Sequence, residues 1–265
     1  MTGEITRGTT APNRLRRCDR WLAGPQAGRL RRYAGTPVVV DLGYGASPVT
    51  AMELRDRLRR VRPDVEVVGI EIDPERVAAA AALAGPGLRF QRGGFEIPLL
   101  GGARPLIVRA FNVLRQYAEA DVPAHWSLVC SRLAAGGLFV DGTCDEIGRR
   151  ASWIGLTPAG PQTLTLSWRL RGLDAPSEIA ERLPKALIHR NLPGEPVHAF
   201  LAALDDQWRR HAAHAGYGVR QRFIATAAAL RVDGWPLRDA ARWRLGELTI
   251  DWAAVAPRGP GAVIG

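Results

Sequence analysis

The amino-acid sequence predicts an α/β fold: a mostly parallel sheet flanked by helices, ending in an antiparallel hairpin, with an N-terminal helix and a C-terminal helical cap. Three observations carry this. From Thr36 onward short apolar runs alternate with Ala/Leu/Arg-rich stretches of helical period. The first run, "VVVDLGYGAS" at 38–47, ends in an acid and breaks into two glycines one residue apart, as a strand does before a ligand-cradling turn. Finally "ASWIGLT" and "QTLTLSWRL" flank the turn-rich "PAGP", which reads as a hairpin.

The elements follow in chain order. Residues 1–12 are polar and rich in Gly and Thr, a segment draped over the surface or flexible. Asn13 has the chemistry of an N-cap for the helix "RLRRCDRWL", which places Leu15, Cys18, Trp21 and Leu22 on one apolar face. Then come the strand "PVVVDLG", the helix "SPVTAMELRDRLRRVRP", the strand "VEVVGIEID" and the helix "PERVAAAAALAG". The strands "LRFQRGG" and "RPLIVRAFN", the helix "VPAHWSLVCSRLAAGG" and the strand "LFVDGTCD" complete the parallel part. From about 174 to 245 the pattern is helical, through "PSEIAERLPKALIHR", "PVHAFLAALDDQWRRHAAHA" and "VRQRFIATAAALRVDG", and "GELTIDW" has the pattern of a last strand. The expected organisation is a basic extension with one helix over 1–35, a ligand-binding core over 36–171, a helical cap packed on it over 172–256, and a loose tail over 257–265.

Composition narrows the function classes. A chain of 265 residues, 46% hydrophobic, buries a large core. No stretch approaches the roughly 18 consecutive apolar residues of a membrane span, and "MTGEITRGTTAPNRLRR" lacks the apolar centre of a signal peptide. A cytoplasmic protein with no membrane partner is expected. Cys18, Cys130 and Cys144 are few and lack metal-ligand spacing, so reduced thiols are expected and no metal. The net charge is +10, and Lys185 is the single Lys among 36 basic residues, so part of the charge is compositional background. Arg7, Arg14, Arg16, Arg17, Arg20, Arg29, Arg31 and Arg32 against Asp19 nevertheless form a local excess, a basic face with the electrostatics of a nucleic-acid surface.

At the glycine turn, Gly43 and Gly45 let backbone approach a ligand, and Glu71 at the end of the next strand can accept ribose hydroxyls. Asp41 separates the possible ligands. A pyrophosphate wants backbone N–H groups and a helix dipole without a carboxylate beside them, whereas an acid suits a cationic ligand; the loop "GYGASP" also lacks the third glycine of the dinucleotide fingerprint. A nicotinamide cofactor is therefore disfavoured.

"VVVDLGYGAS" followed by "VVGIEIDPERV" resembles the first two motifs of class I S-adenosylmethionine-dependent methyltransferases, a Rossmann-like family, over about residues 36–171. The resemblance implies that Asp41, Gly43 and Gly45, with Tyr44 between them, hold the methionine portion of S-adenosyl-L-methionine, and that Glu71 and its neighbour Ile72 hold the ribose. The third motif departs: "QRGGFEI" has Gly94 where the family often has an acid, leaving Phe95 or Glu96 beside the adenine. In "VRAFNVLRQY", where the family's acceptor chemistry sits, Asn112 and Tyr117 are the catalytic candidates, Asn112 also touching the cofactor, and Arg115 faces substrate. The segment is not an amino-methylation signature. In-line methyl transfer needs alignment more than a base.

Other residues have competing readings. Thr143 in "DGTCDE" is a substrate candidate or a turn former, as is Asp145, and Cys144 reads as an inert buried thiol. His211 and His214 in "HAAH" lack a third ligand. Lys185, His189 and Arg190 form a candidate substrate wall, Lys185 and His189 one turn apart if the helix persists past Pro184. The expectation is a methyltransferase acting on an anionic small metabolite or on RNA; the alternative is a non-catalytic module that binds the cofactor or its demethylated product.

Overall fold

The computed structural model describes residues 2–5 and 8–259. Nine strands form one sheet in the order β3-β2-β1-β4-β5-β6-β7-β9-β8. The parallel half holds β1 (Val38–Leu42), β2 (Glu66–Glu71), β3 (Leu88–Arg92), β4 (Ile107–Phe111) and β5 (Leu138–Cys144). Their near-continuous burial explains the unbroken apolar runs, because helices cover both faces. Beyond β5 every pairing is antiparallel, through β6 (Arg150–Thr157), β7 (Gly160–Trp168), β9 (Glu247–Asp251) and β8 (Leu237–Arg238). The order 3-2-1-4-5 with parallel strands makes this a Rossmann-like α/β fold.

Alternate strand residues point to opposite faces, and the core accordingly splits in two. Val39, Val67, Ile107, Val140 and Trp153 pack under α1 (Arg16–Leu22), α2 (Ala27–Arg32) and α3 (Val49–Arg59). Val40, Val68, Val108 and Phe139 on the other face belong to one continuous core that takes in α5 (Val122–Arg132), α7 (Pro196–Arg210) and α8 (Val219–Val232). The C-terminal helices thus share a continuous core with the parallel half rather than forming a core of their own. The short α4 (Pro74–Ala81) is started by Asp73, whose carboxylate accepts from the Glu75 and Arg76 amides, with Pro74 in the first turn.

Several sequence expectations need correction. The N-terminal extension holds two helices, not one. Asn13 is not an N-cap: it has φ +60°, its Oδ1 accepts from Arg57, and α1 begins after Leu15. The predicted face of that helix is right, Trp21 meeting Trp153 edge-on at 5.7 Å. The last strand expected at "GELTIDW" is present as β9, which pairs with β7, but the expected helical stretch also contains the short β8, which extends the sheet one strand further. "PSEIAERLPKALIHR" splits at Pro184 into a 3-10 turn (Pro176–Arg182) and the four-residue α6 (Lys185–Ile188). Most of the expected loose tail lies outside the described residues; at Arg258 the backbone N–H still donates to Glu195. Among the described residues no helix is long and apolar enough to cross a membrane.

Candidate functional site

The site lies at the carboxyl ends of β1, β2 and β4, where open α/β sheets bind ligands. Gly43 at φ +70° and Gly45 at φ +84° occupy the left-handed region that the turn requires. A Cβ on Gly43 would lie 2.6 Å from the Val113 side chain. Three of the turn's donors are taken from within: the Gly43 amide by the Ile70 carbonyl at 2.7 Å, the Gly45 amide by Glu71 Oε2 at 2.9 Å, and the Ala46 amide by the Gly8 carbonyl at 3.0 Å. Glu71, 1% exposed, also accepts from the Ile72 amide through Oε1 and faces the Arg76 guanidinium at 3.8 Å.

Asp41 does not stand free. Register places it opposite Arg109 of β4, and Arg109 donates to it through Nε at 3.0 Å while Thr50 donates at 2.8 Å. Asp19 of α1 takes the other side of the guanidinium and is held in turn by Arg57. Burial works against the Arg109 cation, but Asp41 and Asp19 outweigh it and hold its pKa above the ordinary arginine value. Asp41 therefore shares one cation with Asp19 beneath the turn, so its charge is partly compensated, although it still borders the larger cavity. Tyr44 packs edge-on against Phe90 and its hydroxyl donates to the Arg76 carbonyl, with burial, then Glu71 and Asp41, pushing the phenol up.

Two cavities flank the turn. The larger, about 420 Å³, is bordered by Gly43, Gly45, Asn112, Arg115, Gln116, Cys144 and, among charged groups, Arg14, Arg182, Asp41 and Glu146. Three guanidinium groups, Arg14, Arg115 and Arg182, against the carboxylates of Asp41 and Glu146 leave it net cationic. The smaller lies between Glu71, Ile72, Gly94, Phe95 and Tyr117 and retains only about 20 Å³, because the N-terminal segment fills it. There the Thr2 carbonyl accepts from the Phe95 amide at 2.9 Å while the Thr2 amide donates to Glu96 at 2.8 Å. Burial pushes Glu96 up, but the amides of Thr2, Glu96 itself and Gly94 outweigh this and hold its pKa below the usual carboxylate range. The Glu4 amide donates to Tyr117 Oη at 2.6 Å, and Gln116 donates to the Glu4 carbonyl. Behind Phe95, His125 stacks on its ring at 4.2 Å.

Asn112 and Tyr117, read together as catalytic, border different cavities. Asn112, at φ +60°, accepts from the Cys144 amide at 3.1 Å and so ties β4 to β5. Arg115 borders the larger cavity and donates to the Glu181 carbonyl. Burial and the neighbouring Arg182 lower its pKa. Thr143 is 1% exposed and bonded to the Arg182 carbonyl, so it is an anchor rather than a substrate contact. The expected substrate wall of Lys185, His189 and Arg190 does not assemble. Lys185 and His189 contact each other at 3.3 Å outside both cavities, and Arg190 pairs with Glu119 and Glu195. Asp145 is a turn former, accepting from the Arg149 and Arg150 amides, and burial pushes the Cys144 thiol up. Arg7 lies outside the described residues. Among the described residues no group of three or more His, Cys, Asp or Glu could hold a metal.

Sequence reasoning missed Arg109, Arg182 and the backbone contacts of Thr2 and Gly8. Arg109 left a signal, a lone cation inside the buried run "LIVRAF", which demands a carboxylate partner. The Thr2 and Gly8 contacts left none, because they are made by backbone alone.

No family model and no curated protein matches the chain. Among solved structures, the LepI complex with SAM aligns at 16% identity over 45% of this chain and 30% of that one, TM-score 0.37. The magnesium protoporphyrin IX methyltransferase ChlM from Synechocystis PCC 6803 with bound SAH aligns at 20% over 49% and 54%, TM-score 0.36. The plantazolicin methyltransferase BamL in complex with SAH aligns at 16% over 50% and 46%, TM-score 0.38. The chain spans roughly a third to a half of the length of these proteins, and at TM-scores below 0.5 the likenesses carry no argument about what it binds.

Proposed function

We propose that the chain is a methyltransferase that binds S-adenosyl-L-methionine at the glycine turn and transfers its methyl group to an acceptor with an anionic group. The observation that carries this is the state of the turn's backbone donors. A pyrophosphate needs free amides there, but the Gly45 amide is given to the buried Glu71 carboxylate, which would repel phosphate. Moreover, dinucleotides span two parallel half-sheets, whereas this sheet turns antiparallel directly after β5. A ligand with one nucleoside and no phosphate suits both features.

The residues fit such a ligand. Glu71 Oε1 is held by the Ile72 and Asp73 amides, while Oε2, bonded to the Gly45 amide, keeps a second lone pair for a ribose hydroxyl. The Phe95 amide and the Glu96 carboxylate form a donor–acceptor pair, filled by the Thr2 peptide, that matches the ring nitrogen and amino group of adenine. Thr2 must yield for adenine to enter. When bound, the cofactor supplies an electrophilic methyl carried on a sulfonium. The chain's part is to hold the acceptor in line and exclude water. Arg14, Arg115 and Arg182 bring cations to the acceptor cavity, and no His borders it among the described residues. This favours an acceptor that is already anionic, such as a carboxylate, over one that must first lose a proton.

Calorimetric titration with S-adenosylmethionine, S-adenosylhomocysteine and NAD tests the reading. The first two should bind and NAD should not, and Glu71→Gln should weaken binding about tenfold or more, the loss of hydrogen bonds to a charged acceptor. Binding of NAD alone, or of none of the three even after residues 2–9 are removed, would sink it.

A further inference from the structure

Beside the end of β7, α1, the chain after β7, the start of α8 and the 3-10 turn Ala240–Leu245 enclose a groove of about 540 Å³. Arg16 and Arg20 come from α1, Arg169 and Arg171 from the end of β7, Arg220 from α8 and Arg244 from the 3-10 turn. All six are exposed, and none has a carboxylate partner among the described residues. The carboxylate lining the groove, Glu247, is already held by two bonds from Arg242 at 2.7 and 2.8 Å. Arg17 is packed among these cations; burial and then the neighbouring Arg16 push its pKa down to about 10. Six unpaired guanidinium groups from four separate elements repel one another, an arrangement that costs stability until an anion lies between them.

We infer that this groove binds a single-stranded polynucleotide through its phosphodiester backbone. Three features favour that occupant over an acidic peptide or an anionic membrane. Tyr217 stands at the groove edge 82% exposed, a ring free to stack on a base. The surface is concave, which suits a chain lying in it better than a flat bilayer. The groove also continues: Trp168, Arg169 and Arg171 border a second cavity of about 350 Å³, and that cavity meets the acceptor cavity at Glu146 and Arg182. A strand lying in the groove would therefore lead toward the candidate methyl acceptor position. Binding in the groove stands on its own; that the strand is also the methyl acceptor rests on the methyltransferase reading.

The test is fluorescence anisotropy with a labelled 16-nucleotide oligouridylate between 50 and 300 mM salt. Matched arms are the same sequence as DNA, a duplex, a poly-glutamate peptide and vesicles containing phosphatidylserine. Six phosphate contacts predict a slope of log K against log salt near −4, at about 0.7 per phosphate. Replacing Arg169, Arg171, Arg220 and Arg244 by Ala should weaken binding at least tenfold and reduce the slope by about 3, while the melting temperature holds or rises as the repulsion is relieved and S-adenosylmethionine binding stays unchanged. Tyr217→Ala should weaken binding roughly fivefold or more without changing the slope. The RNA and DNA arms then identify the sugar. An unchanged slope in the fourfold variant overturns the inference, as does equal or tighter binding of duplex, poly-glutamate or vesicles. Oligonucleotide binding without any S-adenosylmethionine binding would leave the groove standing and remove the methyltransferase reading alone.

Discussion

Removing residues 2–9 should tighten S-adenosylmethionine binding, because the Thr2 peptide holds the two groups that adenine would use. To enter, the nucleoside must displace the Phe95 amide bond to the Thr2 carbonyl and the Thr2 amide bond to Glu96. A neutral hydrogen bond contributes about 1 kcal/mol net and one to a carboxylate about 2 kcal/mol, so roughly 3 kcal/mol opposes entry. Release of the segment restores chain entropy, about 1–2 kcal/mol for each residue freed, and one freed residue already offsets half of this. The remaining barrier of about 1–2 kcal/mol corresponds to a gain of roughly 5–30-fold in apparent affinity once the segment is gone. Gly94→Ala provides an independent route to the same end, because its Cβ would lie 2.0 Å from the Thr2 carbonyl oxygen. It should improve affinity in the full chain and have no such effect in the shortened one. Calorimetry on the four proteins reads the result directly. If the shortened chain binds no better, or worse, then the segment closes over the ligand as part of the site, and the competition argued from Thr2 is refuted.

Asp141, fully buried with the Trp126 indole donating to it at 2.9 Å, is pushed up to about 7 by burial, which outweighs that bond. Its folded pKa lies above the unfolded value of 3.8, so its contribution to stability is full below about pH 4 and falls away as pH rises to 7, by up to roughly 4 kcal/mol. Asp141→Asn, which keeps the acceptor for Trp126, should flatten urea-unfolding stability between pH 4 and 7; an unchanged profile would show that another group controls it. Arg109→Met should cost about 3–5 kcal/mol by stranding Asp41 and Asp19 in the core, and adding Asp41→Asn should recover part of the loss in urea denaturation. A simple sum of the two single-variant losses would contradict their pairing. The double variant Lys185→Ala/His189→Ala should leave cofactor affinity and methyl transfer within about twofold, since neither side chain borders either cavity; a tenfold loss in turnover would restore them to the acceptor side.

The parallel half of the sheet could be read from sequence because burial on both faces leaves long apolar runs, and an acid or a glycine marks the ends of β1, β2, β3 and β5. Gly43, Gly45 and Glu71 were found for that reason, and the structure brings them together at one turn. What orientation decides was misread. Thr143 sits at the predicted rim yet bonds to the Arg182 carbonyl from a 3-10 turn far along the chain. Asn13 has N-cap chemistry, but Arg57, 44 positions away, takes its side chain. Asp41 shows the same limit: its carboxylate was rightly expected at the end of β1, but its charge depends on Arg109 across the sheet register. A local pattern states which groups are near a strand end, not which long-range partner has already claimed them.

The first twenty residues serve three places at once: Thr2 in the crevice beside Glu96, Asp19 in the buried ion cluster, and Arg16 and Arg20 on the groove wall. Anything fused ahead of Thr2 would begin inside the crevice and pull on a segment whose other end is anchored in the core. For preparing the protein this dictates that an N-terminal affinity handle be removed before any binding curve is recorded.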